Sequence, residues 1–149
     1  MSRRTRRRLW IAFAVIVFLA ISGELARWLS LENVERQDVS RLLAAEARGN
    51  ARAMLEQLRD CTAACHANVR YDAAHLRRPG QVQILAYDSP TSYTLTPKTG
   101  LTRVAWKSSR QRLPVVQCVT VSRSGNVVSG LRIRLLAVSR PLYPTTADC

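Results

Sequence analysis

The chain has 149 residues, 47% of them hydrophobic, 22% charged and 6% aromatic, and 23 Lys and Arg against 10 Asp and Glu give a net charge of +13. That profile excludes a disordered chain and a glycine- and proline-rich fibrous one. A mean hydropathy of −0.09, with the strongly apolar residues gathered in one N-terminal block, excludes a polytopic membrane protein, and the length excludes a large two-domain enzyme.

Residues 1–8 hold Arg3, Arg4, Arg6, Arg7 and Arg8 and no acid, and fifteen uncharged residues, Leu9 to Gly23, follow. A secretory signal peptide has this layout, and Ala20 and Ser22 suit positions −3 and −1 for cleavage after Ser22. Trp10 and Trp28 favour an uncleaved anchor over 9–28 instead. They lie about 27 Å apart along a helix, close to the hydrocarbon thickness, and tryptophan concentrates at both membrane boundaries. Glu24 and Arg27 can pair near the outer boundary. In either case the arginines stay cytoplasmic and the rest of the chain lies outside the membrane, in a single pass.

From Ser30 the chain reads as helix. Val39, Leu43, Ala47, Ala51, Met54, Leu58, Cys61 and Cys65 are spaced three or four apart, one face of a helix. Arg41, Glu46, Arg48, Arg52, Glu56 and Arg59 form the expected solvated face. Gly49-Asn50 interrupts the run, glycine suiting a helix end and asparagine the cap of the next, so the stripe is assigned to two packed helices. A further helix, Thr62 to Leu76, stops at Arg77-Arg78-Pro79-Gly80.

After Gly80 the period becomes two. Val82, Ile84 and Ala86 alternate up to Ser89-Pro90, Tyr93 and Leu95 resume until Pro97, and Leu101–Lys107 forms another strand. Val115–Ser122 and Val127–Val138 flank Ser124-Gly125-Asn126, a hairpin signal. In the last strand Leu131, Ile133, Leu135 and Ala137 are expected to face a core while Arg132 and Arg134 face water, with a bulge at Gly130. The fold class expected is α+β: an N-terminal transmembrane helix, then helices packed on one face of a curved antiparallel sheet. Residues 29–80 and 81–140 are the helical and sheet parts of one extracytoplasmic domain, and 141–149 is a tail.

The stretch Leu42-Leu43-Ala44-Ala45-Glu46-Ala47-Arg48-Gly49-Asn50-Ala51-Arg52-Ala53-Met54-Leu55 resembles the first two helices of the nuclear transport factor 2-like cone fold. Members often carry A-x-x-R-G-D-x-x-x-apolar there, and Asn50 stands where aspartate is usual. The resemblance spans roughly residues 33–139. It implies a cone domain outside an N-terminal helix, as in membrane-anchored accessory proteins of lipid-import systems. Enzymatic members place an Asp/His or Asp/Tyr set in the cone, for which Tyr71-Asp72, His75 and Tyr87-Asp88 are the candidates here. The layout also resembles TadE-like and pilin-like proteins, but the glutamate those carry in the apolar block is missing between Leu9 and Gly23.

Cys61, Cys65, Cys118 and Cys149 are an even set in a chain expected to be exported, which favours disulfides. Three pairings exist, and Cys61–Cys65 with Cys118–Cys149 is the first choice, the crossed pairings close behind. Cys61-Thr62-Ala63-Ala64-Cys65-His66 also offers the alternative of covalent haem, with His66 as axial ligand and His75 or Met54 as the second, although the usual spacing between the cysteines is two residues and not three. No cofactor and no metal site is expected in the preferred reading.

Nine basic residues in 89–149 face one acid, Asp148, whereas 23–88 is neutral. Lys107, Arg110, Arg112, Arg132 and Arg134 are therefore candidates for contact with anionic lipid or wall polymer. Nucleic acid is not an expected partner, since neither a stacking platform nor a binding motif accompanies the charge. No P-loop, Rossmann pattern or nucleophile elbow is present. The function expected is a membrane-anchored, non-catalytic interaction or assembly module of a cell-envelope or transport complex with a protein partner. A small anchored c-type cytochrome, or a cone-pocket ligand binder or enzyme, is the alternative.

Overall fold

The structure, a computed structural model, describes residues 3–78, 80–89, 98–126, 130–142 and 149; within these, some side chains, including those of Leu9, Glu24, Arg27, Trp28 and Leu131, are not described. Three helices precede four strands: α1 Arg3–Ala47, α2 Ala51–Gln57, α3 Ala63–His75, β1 Val82–Asp88, β2 Lys98–Ser108, β3 Val115–Asn126 and β4 Gly130–Val138. The chain forms two compact units, Met1–Val34 and Glu35–Cys149.

In the first unit, α1 carries Trp10, Ile11, Phe13, Val15, Ile16, Val17, Phe18, Leu19 and Ile21, all exposed. At 100° per residue these nine point in every direction around the axis. The helix expected over 9–28 is thus present, yet among the described residues no helix is long and apolar enough to cross a membrane. The uncharged run with described side chains, 10–23, is about 21 Å long against a hydrocarbon core of ~30 Å. Of the Trp10–Trp28 and Glu24–Arg27 pairs, the side chains of Trp28, Glu24 and Arg27 lie outside the description.

In the second unit the strands form an antiparallel meander in the order β1-β2-β3-β4. Inward positions alternate as a sheet with one covered face requires: Thr102, Val104, Trp106 and Ser108 on β2, Val115, Gln117, Val119, Val121 and Arg123 on β3. Val104, Trp106, Val115, Val119 and Val121 of these pack with Val39, Leu42 and Leu43 of α1, Met54 of α2, and Cys65, Val69 and Ala73 of α3 into one core. The α+β arrangement of helices with an antiparallel sheet is therefore as expected.

The break in the helical stripe has a local cause. The Gly49 N–H donates to Glu46 O at 2.7 Å and the Asn50 N–H to Ala45 O at 3.0 Å, the paired bonds of a Schellman cap. Gly49 sits at φ +69°. The Asn50 side chain then accepts from the Ala53 N–H at 3.0 Å, capping α2. A Cβ at Gly49 would meet Ala73 O at 2.9 Å, a backbone atom that cannot step aside. Gly49→Ala should therefore cost about 2 kcal/mol, read from the urea midpoint; an unchanged midpoint would mean that the α1–α3 contact yields freely.

Four local expectations change. Helix α2 stops at Gln57, not Cys61, because Leu58 pairs with Leu135 of β4 in a parallel bridge. Ser124-Gly125-Asn126 is strand and not turn, with Asn126 opposite Gly130; 127–129 lie outside the described residues. The bulge expected at Gly130 lies instead at Leu136, between the Thr120–Ala137 and Val121–Leu135 pairs. The extra residue shifts the inward position, so Val138 is buried and Ala137 only half-buried. The expected Tyr93–Leu95 continuation falls outside the described residues.

Candidate functional site

The cysteines pair as Cys61–Cys65, with Cα atoms 5.4 Å apart, and Cys118–Cys149, 5.8 Å apart. Thr62 caps α3, its Oγ1 accepting from the Cys65 N–H at 3.4 Å, which folds the CxxxC segment into a single turn. Both thiols that haem attachment would consume are joined to each other. His66 and His75 lie nine residues apart on α3, about 13.5 Å along its axis and on opposite faces, so they do not face one iron together. The His75 ring stacks on Tyr71 at 4.1 Å, and its Nδ1 lies 2.8 Å from Tyr71 O. Cys118 points to the sheet face opposite the helices, so its bridge holds the chain terminus there. Cys149→Ser opens a 31-residue separation and should cost about 3 kcal/mol, measured by urea unfolding under non-reducing conditions. Losing Cys61–Cys65, whose loop is far shorter, should cost less.

Two buried polar clusters lie beneath the sheet. In the first, Arg123 of β3 forks onto Glu35 of α1, Nε donating to Oε2 at 2.8 Å and Nη2 to Oε1 at 2.6 Å. Tyr87, Ser89 and Thr102 hydroxyls donate to the same Oε1 at 2.7, 2.9 and 3.0 Å. Arg123 also donates to Ser89. Burial pushes the Glu35 carboxyl up, but bonds from Arg123 and Tyr87, the Arg123 charge and the Ser89 bond outweigh it and hold the carboxyl below its ordinary range. The Tyr87 hydroxyl is driven above its usual value by burial and by Glu35. Arg123, counted by sequence among the basic-face residues, is thus an interior clamp.

The second cluster corrects another expectation. Glu46, assigned to the solvated face, is fully buried. Gln117 Nε2 donates to Glu46 Oε1 at 2.8 Å, and Trp106 Nε1 donates to Gln117 Oε1 at 2.7 Å. Glu46 Oε2 and both Asp72 oxygens are buried without a hydrogen-bond partner among the described residues. Burial, and then the Asp72 charge, push Glu46 up to about 8, the Gln117 bond opposing them. Burial lifts Asp72 to about 7 against the pull of Arg140. Among the Asp, His and Tyr candidates for cone-type chemistry, Tyr71 and His75 stack on one another, whereas Asp72 is enclosed in the core, Tyr87 is committed to Glu35, and Asp88 is exposed. Among the described residues no group of three or more His, Cys, Asp or Glu could hold a metal ion.

The five basic candidates divide. Lys107 lies near the end of β2, and Arg110 and Arg112 lie in the turn to β3. Arg132 and Arg134 pair with Ser124 and Ser122, at the other end of β3. About eight strand residues, or ~25 Å, separate the two groups. Arg132 and Arg134 gain Arg59, which sequence alone did not single out. The three line a 460 Å³ concavity with Asp60 and Ile133. A contiguous hollow of 210 Å³ adds Asp38, Glu56, Gln57 and Leu135. Asp38 is paired with Arg41 at 3.3 Å and Glu56 with Arg52 at 3.4 Å, which leaves the groove arginines dominant. This groove can receive an anion or an acidic surface. Compared with family models, with curated proteins and with solved structures, the chain matches none.

Proposed function

We propose that this chain is a membrane-held, non-catalytic interaction module of a cell-envelope assembly, with Glu35–Cys149 outside and the arginine-lined groove as its contact surface. The observation that carries the reading is the helix of the first unit, whose apolar side chains are exposed in every direction. A helix apolar all round needs an apolar surrounding on all sides, and a bilayer supplies one. In the sequence the run Leu9–Ala26 has one charge, Glu24, and is about 27 Å long as a helix; Arg6, Arg7 and Arg8 are placed to reach the headgroups. Two disulfides suit an oxidising compartment. The order of helices followed by an antiparallel sheet supports the nuclear transport factor 2-like resemblance at the level of element order. The non-catalytic reading is supported by the enclosure of Glu46 and Asp72, which neither groove hollow reaches.

The test is fractionation of the full chain expressed in cells, followed by alkaline carbonate washing. The wild type should remain in the membrane pellet, and Ile16→Arg with Leu19→Arg should release it. Extraction of the wild type by carbonate would overturn membrane anchoring.

A further inference from the structure

β4 is an edge strand, and the α2–α3 connection covers only part of it. The Arg59 N–H donates to Leu135 O at 2.7 Å. At Asp60, φ is +56° and the chain turns away toward the cap of α3. Strand alternation places the backbone N–H and C=O of Ile133 on the same outward edge as those of Leu135. Among the described residues no backbone group pairs with that edge at Ile133. An open strand edge is a template for another strand. Arg132 and Arg134 flank Ile133 on the opposite sheet face, and Arg59 completes the larger hollow. None of the three arginines has a carboxylate within 4.0 Å among the described residues.

We propose that the β4 edge docks an extended acidic segment of a partner protein, which adds to the sheet as a fifth strand. The inference rests on the reading of this domain as an interaction module and specifies the partner's chemistry. An added strand alternates its side chains between two faces. On the Arg132 and Arg134 side it meets guanidinium groups, so acidic residues belong there. On the Ile133 side it meets the half-buried Ile133 beside Gln57, with Asp38 and Glu56 lining the same hollow, so uncharged residues belong there. Backbone pairing supplies the affinity and the alternating pockets the selectivity, which is strand addition. Charge complementarity selects an acidic strand over a neutral or basic one, and the backbone edge selects a peptide over a free anion.

The test uses the full chain in zwitterionic detergent micelles and fluorescein-labelled octapeptides read by anisotropy. A peptide of alternating Glu and Val should bind saturably, and one of alternating Lys and Val should not. Arg132→Glu with Arg134→Glu should weaken binding at least tenfold, whereas Arg110→Glu with Arg112→Glu, at the far end of the sheet, should leave it within twofold. On the wild type, N-methylation of the Glu residues in one peptide and of the Val residues in another should abolish binding for one and spare the other. The proposal is overturned if no peptide binds, if both methylated peptides bind like the parent, or if inorganic tripolyphosphate displaces the peptide as well as unlabelled peptide does. The last two results would leave a simple anion site, for phosphate or lipid headgroups. Membrane retention is read by carbonate washing, so failure here leaves that reading standing.

Discussion

Arg123→Leu is expected to destabilise the domain by about 3–5 kcal/mol at pH 7, because it leaves a buried carboxylate without its counter-charge. Glu35 is 1% exposed and Arg123 5%. Without the guanidinium, three hydroxyl donors remain to offset the desolvation of an anion. The pH dependence distinguishes this cause from lost packing. In the wild type the Glu35 carboxyl is depressed below its ordinary 4.5. Its contribution is therefore present above that value and is lost as pH falls through the folded pKa. In the variant the carboxyl should rise and take a proton, so the deficit measured by urea unfolding should shrink between pH 7 and pH 4. A second leucine at Glu35 should restore most of the loss. A constant deficit across that range would assign the effect to packing alone.

Glu46→Gln should do the reverse, stabilising the protein in mild alkali by about 5 kcal/mol, the value of a carboxyl raised from 4.5 to about 8. Glu46 and Asp72 are raised, to about 8 and about 7, above their ordinary 4.5 and 3.8. Groups raised on folding contribute stability that is full below the unfolded pKa and is lost as pH rises through the folded one. The wild type should therefore lose stability as pH rises from about 4 to about 8, and with the opposite trend from Glu35 its maximum should fall below about pH 4.5. Glutamine keeps an acceptor for Gln117 and carries no charge at any pH. Urea unfolding should show little difference from wild type at pH 5 and a clear gain at pH 9. A gain of equal size at both would remove ionisation as the cause.

What could be read from the sequence was what local chemistry decides. Gly49-Asn50 announced a helix end followed by a helix start because both caps depend on the two residues themselves. The period of two after Gly80 announced strands for the same reason. The buried acids were hidden because a one-stripe reading of α1 assumes one covered face. Its final turn is enclosed on more sides, with Leu42, Leu43, Ala45, Glu46 and Ala47 all buried. Arg123 did leave a signal: it follows Val119 and Val121 at inward positions of one strand, where an arginine requires a buried acid. The joining of Arg59 to Arg132 and Arg134 left none. It depends on the Leu58–Leu135 bridge, a contact between residues distant in sequence. The shift of the bulge from Gly130 to Leu136 is likewise set by pairing with β3.

The most direct test of a membrane-held domain outside the cell is trypsin applied to intact spheroplasts carrying the full chain, with the fragments read by mass spectrometry. Arg110 and Arg112 are exposed in the turn between β2 and β3, and Arg6, Arg7 and Arg8 are exposed near the N-terminus. Cleavage at Arg110 or Arg112 before lysis, with the N-terminal arginines cut only afterwards, is the predicted pattern. Cleavage of the N-terminal arginines alone before lysis, with the turn protected, would contradict it.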